Sequence, residues 1–178
     1  MIRSIFISVL FLSLITTKAQ ENNSTYVVDK NDVSSIENII YAVYDVISGP
    51  AGTERNWDRF RSLFYEGAKL TAVFRDSTGD PYLFNLSVED FVERAAPLYL
   101  KNGFFEKEIF GKTEQFNHIA HRFSTYETWR NLDDPEPFGR GINSFQFYND
   151  GKRWWIQSIF WEYETEQDPI PLEYLPQK

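Results

Sequence analysis

The chain contains no cysteine among its 178 residues. A disulfide framework, a thiolate nucleophile and a cysteine-based metal site are thereby excluded. Histidine is nearly as scarce, with His118 and His121 the only two. They lie three apart on an expected strand, point to opposite faces and cannot share a metal ion from it. No Gly-rich phosphate loop, nucleophile elbow or metal-spaced cluster occurs. No cofactor and no metal are expected. Positive charge is also in deficit: 18 Lys and Arg stand against 26 Asp and Glu, a formal net charge of −8. An acidic surface argues against nucleic acid and anionic membranes as partners.

Long apolar runs are missing except at the start. Residues 5–15 are apolar apart from Ser8 and Ser13, Arg3 precedes them, and Thr17-Lys18-Ala19 supplies small residues before Gln20. This pattern predicts a cleavable signal peptide over residues 1–19, too short to span a bilayer. A periplasmic or secreted location follows, with no membrane span after cleavage. Removing that segment deletes Arg3 and Lys18 and no acid, so the mature chain is more acidic still. Residues 20–31 are polar and are expected to form a flexible leader.

What remains is rich in side chains that build a core. With 42% hydrophobic and 17% aromatic residues, the chain reads as a folded globule. A first helix is expected over residues 32–48. Ser34 with Glu37, or Asp32, would cap it, and Val33, Ile36, Ile40, Val43 and Ile47 form one stripe. Trp57, Phe60 and Phe64 mark a short second helix. Residues 69–75 and 82–86 read as paired strands around the turn at 76–80. A third helix starts at Ser87, with Phe91, Ala95 and Leu98 on its buried side and Pro97 ending or kinking it. Residues 104–110 read as a strand, Gly111-Lys112 as a turn, and residues 113–130 as a long strand.

Residues 139–164 read as a β-hairpin around a two-residue Asp150-Gly151 turn. That turn would pair Phe147 with Trp154, Phe145 with Ile156, Asn143 with Ser158 and Gly141 with Phe160. Residues 167–178, with Pro169, Pro171 and Pro176, are expected to form an extended surface tail. The domain proper spans residues 32–166. Helices early and strands late give an α+β class: a curved antiparallel sheet packed against about three N-terminal helices.

Four stretches in this order carry a resemblance. They are residues 56–70 (NWDRFRSLFYEGAKL), 87–91 (SVEDF), 121–127 (HRFSTYE) and 141–156 (GINSFQFYNDGKRWWI). The chain resembles the nuclear transport factor 2-like superfamily, in particular its SnoaL-like branch, over residues 33–164. The resemblance implies a cone-shaped α+β fold with a cavity between sheet and helices, often in a homodimer. It implies no single reaction. Relatives include isomerases, dehydratases, cyclases and epoxide hydrolases as well as binding and transport proteins, so function has to come from the site. No catalytic set of the known enzymes maps onto this sequence.

Candidate residues follow from the expected strand faces. On residues 113–130, one face carries Ile119, His121, Phe123, Thr125, Glu127 and Trp129; the other carries Arg122. Burying Arg122 unpaired is costly, so the His121 face is expected to point inward. As a small-molecule enzyme, the chain would use His121 as general acid or base, with Asn143, Asp58 or Tyr41 as its partner. As a binding module for a small apolar or amphipathic molecule, it would line a pocket with Tyr41, Trp57, Phe64, Phe145 and Phe160. Asn143, Ser158 and His121 would orient the ligand. The bland alternative is that these rings fill the core and His121 is a buried, hydrogen-bonded histidine. On the other hairpin face, Tyr148, Trp155, Ile159 and Trp161 are expected to meet a second subunit or the tail, which would make the chain a dimeric interaction or assembly protein. The acid pair Asp133-Asp134 reads as a solvated loop, and Glu162/Glu164, on one strand face near its end, as a polar rim.

Overall fold

The structure is a computed structural model and describes residues 26–177. The expected signal peptide lies outside the described residues. Helix α1 (Ile36–Ile47) is followed by α2 (Trp57–Ser62), β1 (Phe64–Arg75), β2 (Pro81–Ser87) and α3 (Val88–Asn102). Four long strands then run in succession: β3 (Phe105–Phe116), β4 (Ile119–Trp129), β5 (Gly139–Asn149) and β6 (Trp154–Tyr163). A short 3₁₀ turn, Leu172–Tyr174, lies in the tail.

All six strands form one sheet in the order β2-β1-β6-β5-β4-β3. Neighbours are antiparallel except β1 and β6, which pair in parallel. A sheet expected to be wholly antiparallel is therefore mixed. Its curvature has identifiable causes. Register shifts interrupt β1 after Phe64, β3 between Glu108 and Phe110, and β6 opposite Gln146 and Phe147. Each extra residue bends its strand and increases the local twist.

The helices cover one face. The α1 stripe is buried as expected, with Val33, Ile36, Ile40, Val43 and Ile47 all at 6% exposure or less. Its cap is Ser35, whose side chain accepts from the Asn38 amide, one residue after the expected Ser34. Asp32 instead holds the Arg59 guanidinium through two hydrogen bonds. On α3, Ser87 and Asp90 form a reciprocal capping box. Pro97 lies inside that helix without ending it, and Leu98 points to solvent while Val92 and Ala95 are buried.

The turn between β3 and β4 falls at Asn117-His118, not at Gly111-Lys112. Gly111 is a mid-strand residue because the Arg122 guanidinium lies where its Cβ would be, 2.1 Å from Nη2. The β5–β6 loop spans residues 150–153, closed by the Asp150 amide donating to the Arg153 carbonyl at 3.2 Å. Phe147 therefore pairs with Ile156 and Asn149 with Trp154. Beyond the bulge at Gln157, the shift grows by one more residue: Phe145 meets Ile159 and Asn143 meets Trp161.

The chain ends are more firmly held than expected. Val28 packs against the core, so the last part of the leader is docked. In the tail, Ile170 is buried, the Tyr174 carbonyl accepts from the Thr125 hydroxyl at 2.6 Å, and the Tyr174 ring lies 5.4 Å from that of Phe123. The tail thus crosses the outer face of the sheet.

Candidate functional site

Between the helices and the sheet lies a cavity of about 80 Å³. Its apolar wall includes Val43 and Ile47 from α1, Phe60 from α2, Phe91 from α3, and Phe104, Phe145, Ile159 and Trp161 from the sheet side. Its polar groups are four tyrosines, 44, 99, 126 and 163, with Asn143 and Glu106. No Lys, Arg or His lines it.

Glu106 is the one carboxylic acid in this wall. Strand alternation turns Glu106 and Glu108 to the helix side, and the Ser48 hydroxyl fixes the first of them by accepting from its backbone amide at 3.0 Å. Its Oε1 accepts from Asn143 Nδ2 at 2.9 Å. The same amide donates to the Tyr44 hydroxyl at 3.0 Å. With that acceptance made, Tyr44 gives its proton to Ser124 at 2.6 Å, and Ser124 gives its own to Glu108. Arg122 closes the series with a two-pronged bond to Glu108 at 2.8 and 2.6 Å. This directional chain orients the Asn143 amide so that its N–H₂ faces Glu106.

Burial pushes the Glu106 carboxyl up to about 8, against the opposing hydrogen bond from Asn143. The residue as a whole keeps some solvent contact, but its carboxyl lies at the inner wall. Burial also raises the phenols of Tyr44, Tyr99, Tyr126 and Tyr163, and Glu106 adds to each of those shifts. They are therefore neutral hydroxyls at physiological pH. A proton-exchanging acid among fixed neutral hydroxyls can bind a polar guest or pass it a proton. Among the described residues, no group of three or more His, Asp or Glu converges as a metal site would.

The expected site residues divide sharply. Asn143 and Phe145 line the cavity. Trp57 packs beside it, its ring 6.3 Å from that of Tyr99, and Phe64 lies in the core 4.7 Å from Phe60. Tyr41 is 68% exposed on the outside of α1. His121 does not reach the cavity: it lies on the outer face, with Nε2 3.4 Å from the Glu114 carboxylate. The reason is that Arg122, expected to be too costly inside, is paired there with Glu108 and sits over Gly111.

Ser158 and Phe160 also face outward, whereas Ile159 and Trp161, expected at a subunit interface, face the cavity. The bulge at Gln157 exchanges the two sets. Tyr148 and Trp155 do lie on the outer face, where both rings stand edge-on to Tyr65. Glu106 and the tyrosines were not singled out from sequence. The available signal was Phe105-Glu106-Lys107-Glu108, which places two acids on one face of a strand.

No protein-family model matches the chain, and no curated protein matches it. Solved structures do. A protein of unknown function with a cystatin-like fold from Nostoc punctiforme superposes with a TM-score of 0.56 at 10% identity, covering 74% of this chain and 90% of its own. A nuclear transport factor 2-like protein of unknown function from Pseudomonas putida gives 0.55 at 9% identity, covering 79% and 94%. A candidate ketosteroid isomerase from Parabacteroides distasonis gives 0.50 at 15% identity, covering 79% and 100%. With its six-stranded curved sheet wrapped on helices, the chain has the nuclear transport factor 2-like α+β cone fold.

Proposed function

We propose that this chain is an exported small-molecule-binding protein that holds a compact guest in its interior cavity. The observation carrying the proposal is Glu106, a carboxyl without a cationic partner that lines an otherwise aromatic chamber beside a fixed Asn143 amide. Packing alone gives no reason to place an acid there, because burying it costs stability. The volume limits the guest: about 80 Å³ is roughly half the dry cavity that holds benzene in an engineered core. Export rests on residues 1–19 and is tested by sequencing the N-terminus of protein from its host. A homodimer through the outer aromatic patch of Tyr65, Tyr148 and Trp155 belongs to the same proposal, and light scattering tests it.

The test of binding is native mass spectrometry of protein purified from its host, followed by Glu106→Gln. A mass excess that disappears in the variant supports the reading; a wild-type mass equal to the bare chain at every desolvation energy overturns it.

A cofactor-independent isomerase or dehydratase is the second reading. It is favoured by an acid whose proton exchanges near physiological pH. Two structural neighbours carry matching names, the candidate ketosteroid isomerase and a candidate dehydratase from Streptomyces avermitilis. In this reading Glu106, not His121, is the acid or base.

A further inference from the structure

We infer that the guest of this cavity is a compact organic cation, a protonated amine of very few heavy atoms. The inference rests on the binding reading above and narrows it to one chemical class. Two observations carry it.

The first is the composition of the wall. Aromatic side chains of Tyr99, Phe104, Tyr126, Trp161 and Tyr163 line the cavity together with one carboxyl, and no lining residue is basic. Aromatic faces attract a cation through the ring quadrupole, most strongly where water is excluded. They give no such attraction to an anion.

The second is the bonding of Glu106. Its Oε1 takes the Asn143 amide, and Oε2 has no hydrogen-bond donor among the described residues. The neighbouring elements bring Tyr44 from α1, Tyr99 from α3, Tyr126 from β4 and Tyr163 from β6, all neutral phenols. A charge of opposite sign is the component that the chamber lacks.

Binding a cation stabilises the carboxylate form of Glu106, so a proton leaves the acid for the buffer. A simple alkylammonium keeps its own proton at pH 7, so the proton released is that of the acid. Because the free acid titrates near 8, release approaches about one proton per cation at pH 7 and vanishes well above pH 8.

Calorimetry with methylammonium and with neutral methanol, both small enough for the cavity, tests the inference, in two buffers of different ionisation enthalpy. The expected result is methylammonium binding at least about tenfold tighter than methanol, with proton release at pH 7 that disappears at pH 9.5. Glu106→Gln should remove both the preference and the release. The proton count needs no variant, so it stands even if Glu106→Gln folds poorly. Equal binding of both probes without proton release overturns the cation inference and leaves the binding reading intact. Binding of neither probe, with tryptophan fluorescence unchanged, overturns both.

Discussion

Glu106 and Glu108 leave β3 on the same side, two residues apart, one at the cavity end of the wall and the other at the Arg122 end. Glu108 receives both prongs of Arg122 and the Ser124 hydroxyl. Glu106 receives a single amide N–H and no cation. The first end is closed electrostatically and behaves as scaffold. The second is left incomplete inside a chamber, which is how a site capable of accepting a ligand differs from a buried ion pair of similar depth.

The largest expected effect breaks the closed end. Arg122→Met leaves Glu108 partly buried without its cation and should cost about 3–5 kcal/mol in urea unfolding. A loss under about 1 kcal/mol would mean that Glu108 is as solvated as an ordinary surface acid.

The next concerns the open end and has a definite sign. Folding raises the Glu106 carboxyl from 4.5 to about 8, so between those values the folded state binds more protons than the unfolded chain. Stability therefore falls as pH rises through that window and levels off above it, with a slope of up to about 1.4 kcal/mol per pH unit. Discounted for the residue's partial exposure, the total is roughly 3 kcal/mol. Glu106→Gln cannot ionise and should flatten this contribution, leaving the variant more stable than wild type at pH 9. Unfolding curves at pH 5, 7 and 9 decide it, and parallel pH profiles for the two proteins would refute the assignment.

A smaller effect is expected at Gly141. An added Cβ would stand 2.4 Å from the Glu162 carbonyl and 2.6 Å from the Tyr126 hydroxyl. Gly141→Ala should cost about 2 kcal/mol and alter the fluorescence of Trp161, because the ring beside the cavity has to move. His121→Ala should be nearly silent, within about 0.5 kcal/mol, and should leave guest binding unchanged. Loss of binding in that variant would return His121 to the site.

The fold was legible because its signals are local. The α1 stripe, the Ser87 capping box and the Asp76-to-Asp80 turn depend on neighbours a few residues apart, and each lies where the pattern indicated. The site was less legible because it depends on partners distant in sequence. Arg122 looked too expensive to bury until Glu108, Ser124 and the missing Cβ of Gly111 were brought to it by the β3–β4 register. Glu106 alternates with Lys107 and resembles any solvated strand acid; only the covering helices make it interior. Asn143 and Phe145 were identified because β5 has no register shift within itself to disturb its alternation, whereas Ser158, Phe160, Ile159 and Trp161 all lie past a bulge that alternation cannot foresee.

That bulge at Gln157 makes the chamber's chemistry sensitive to chain length in a way that point substitution does not reach. Deleting a single codon there would turn Trp161 and Ile159 to the outside and bring Phe160 and Ser158 within, recasting half of one wall at a stroke while leaving the residues of every other strand untouched. Descendants of this chain could acquire a new guest more readily by losing or gaining a residue in β6 than by exchanging side chains one at a time.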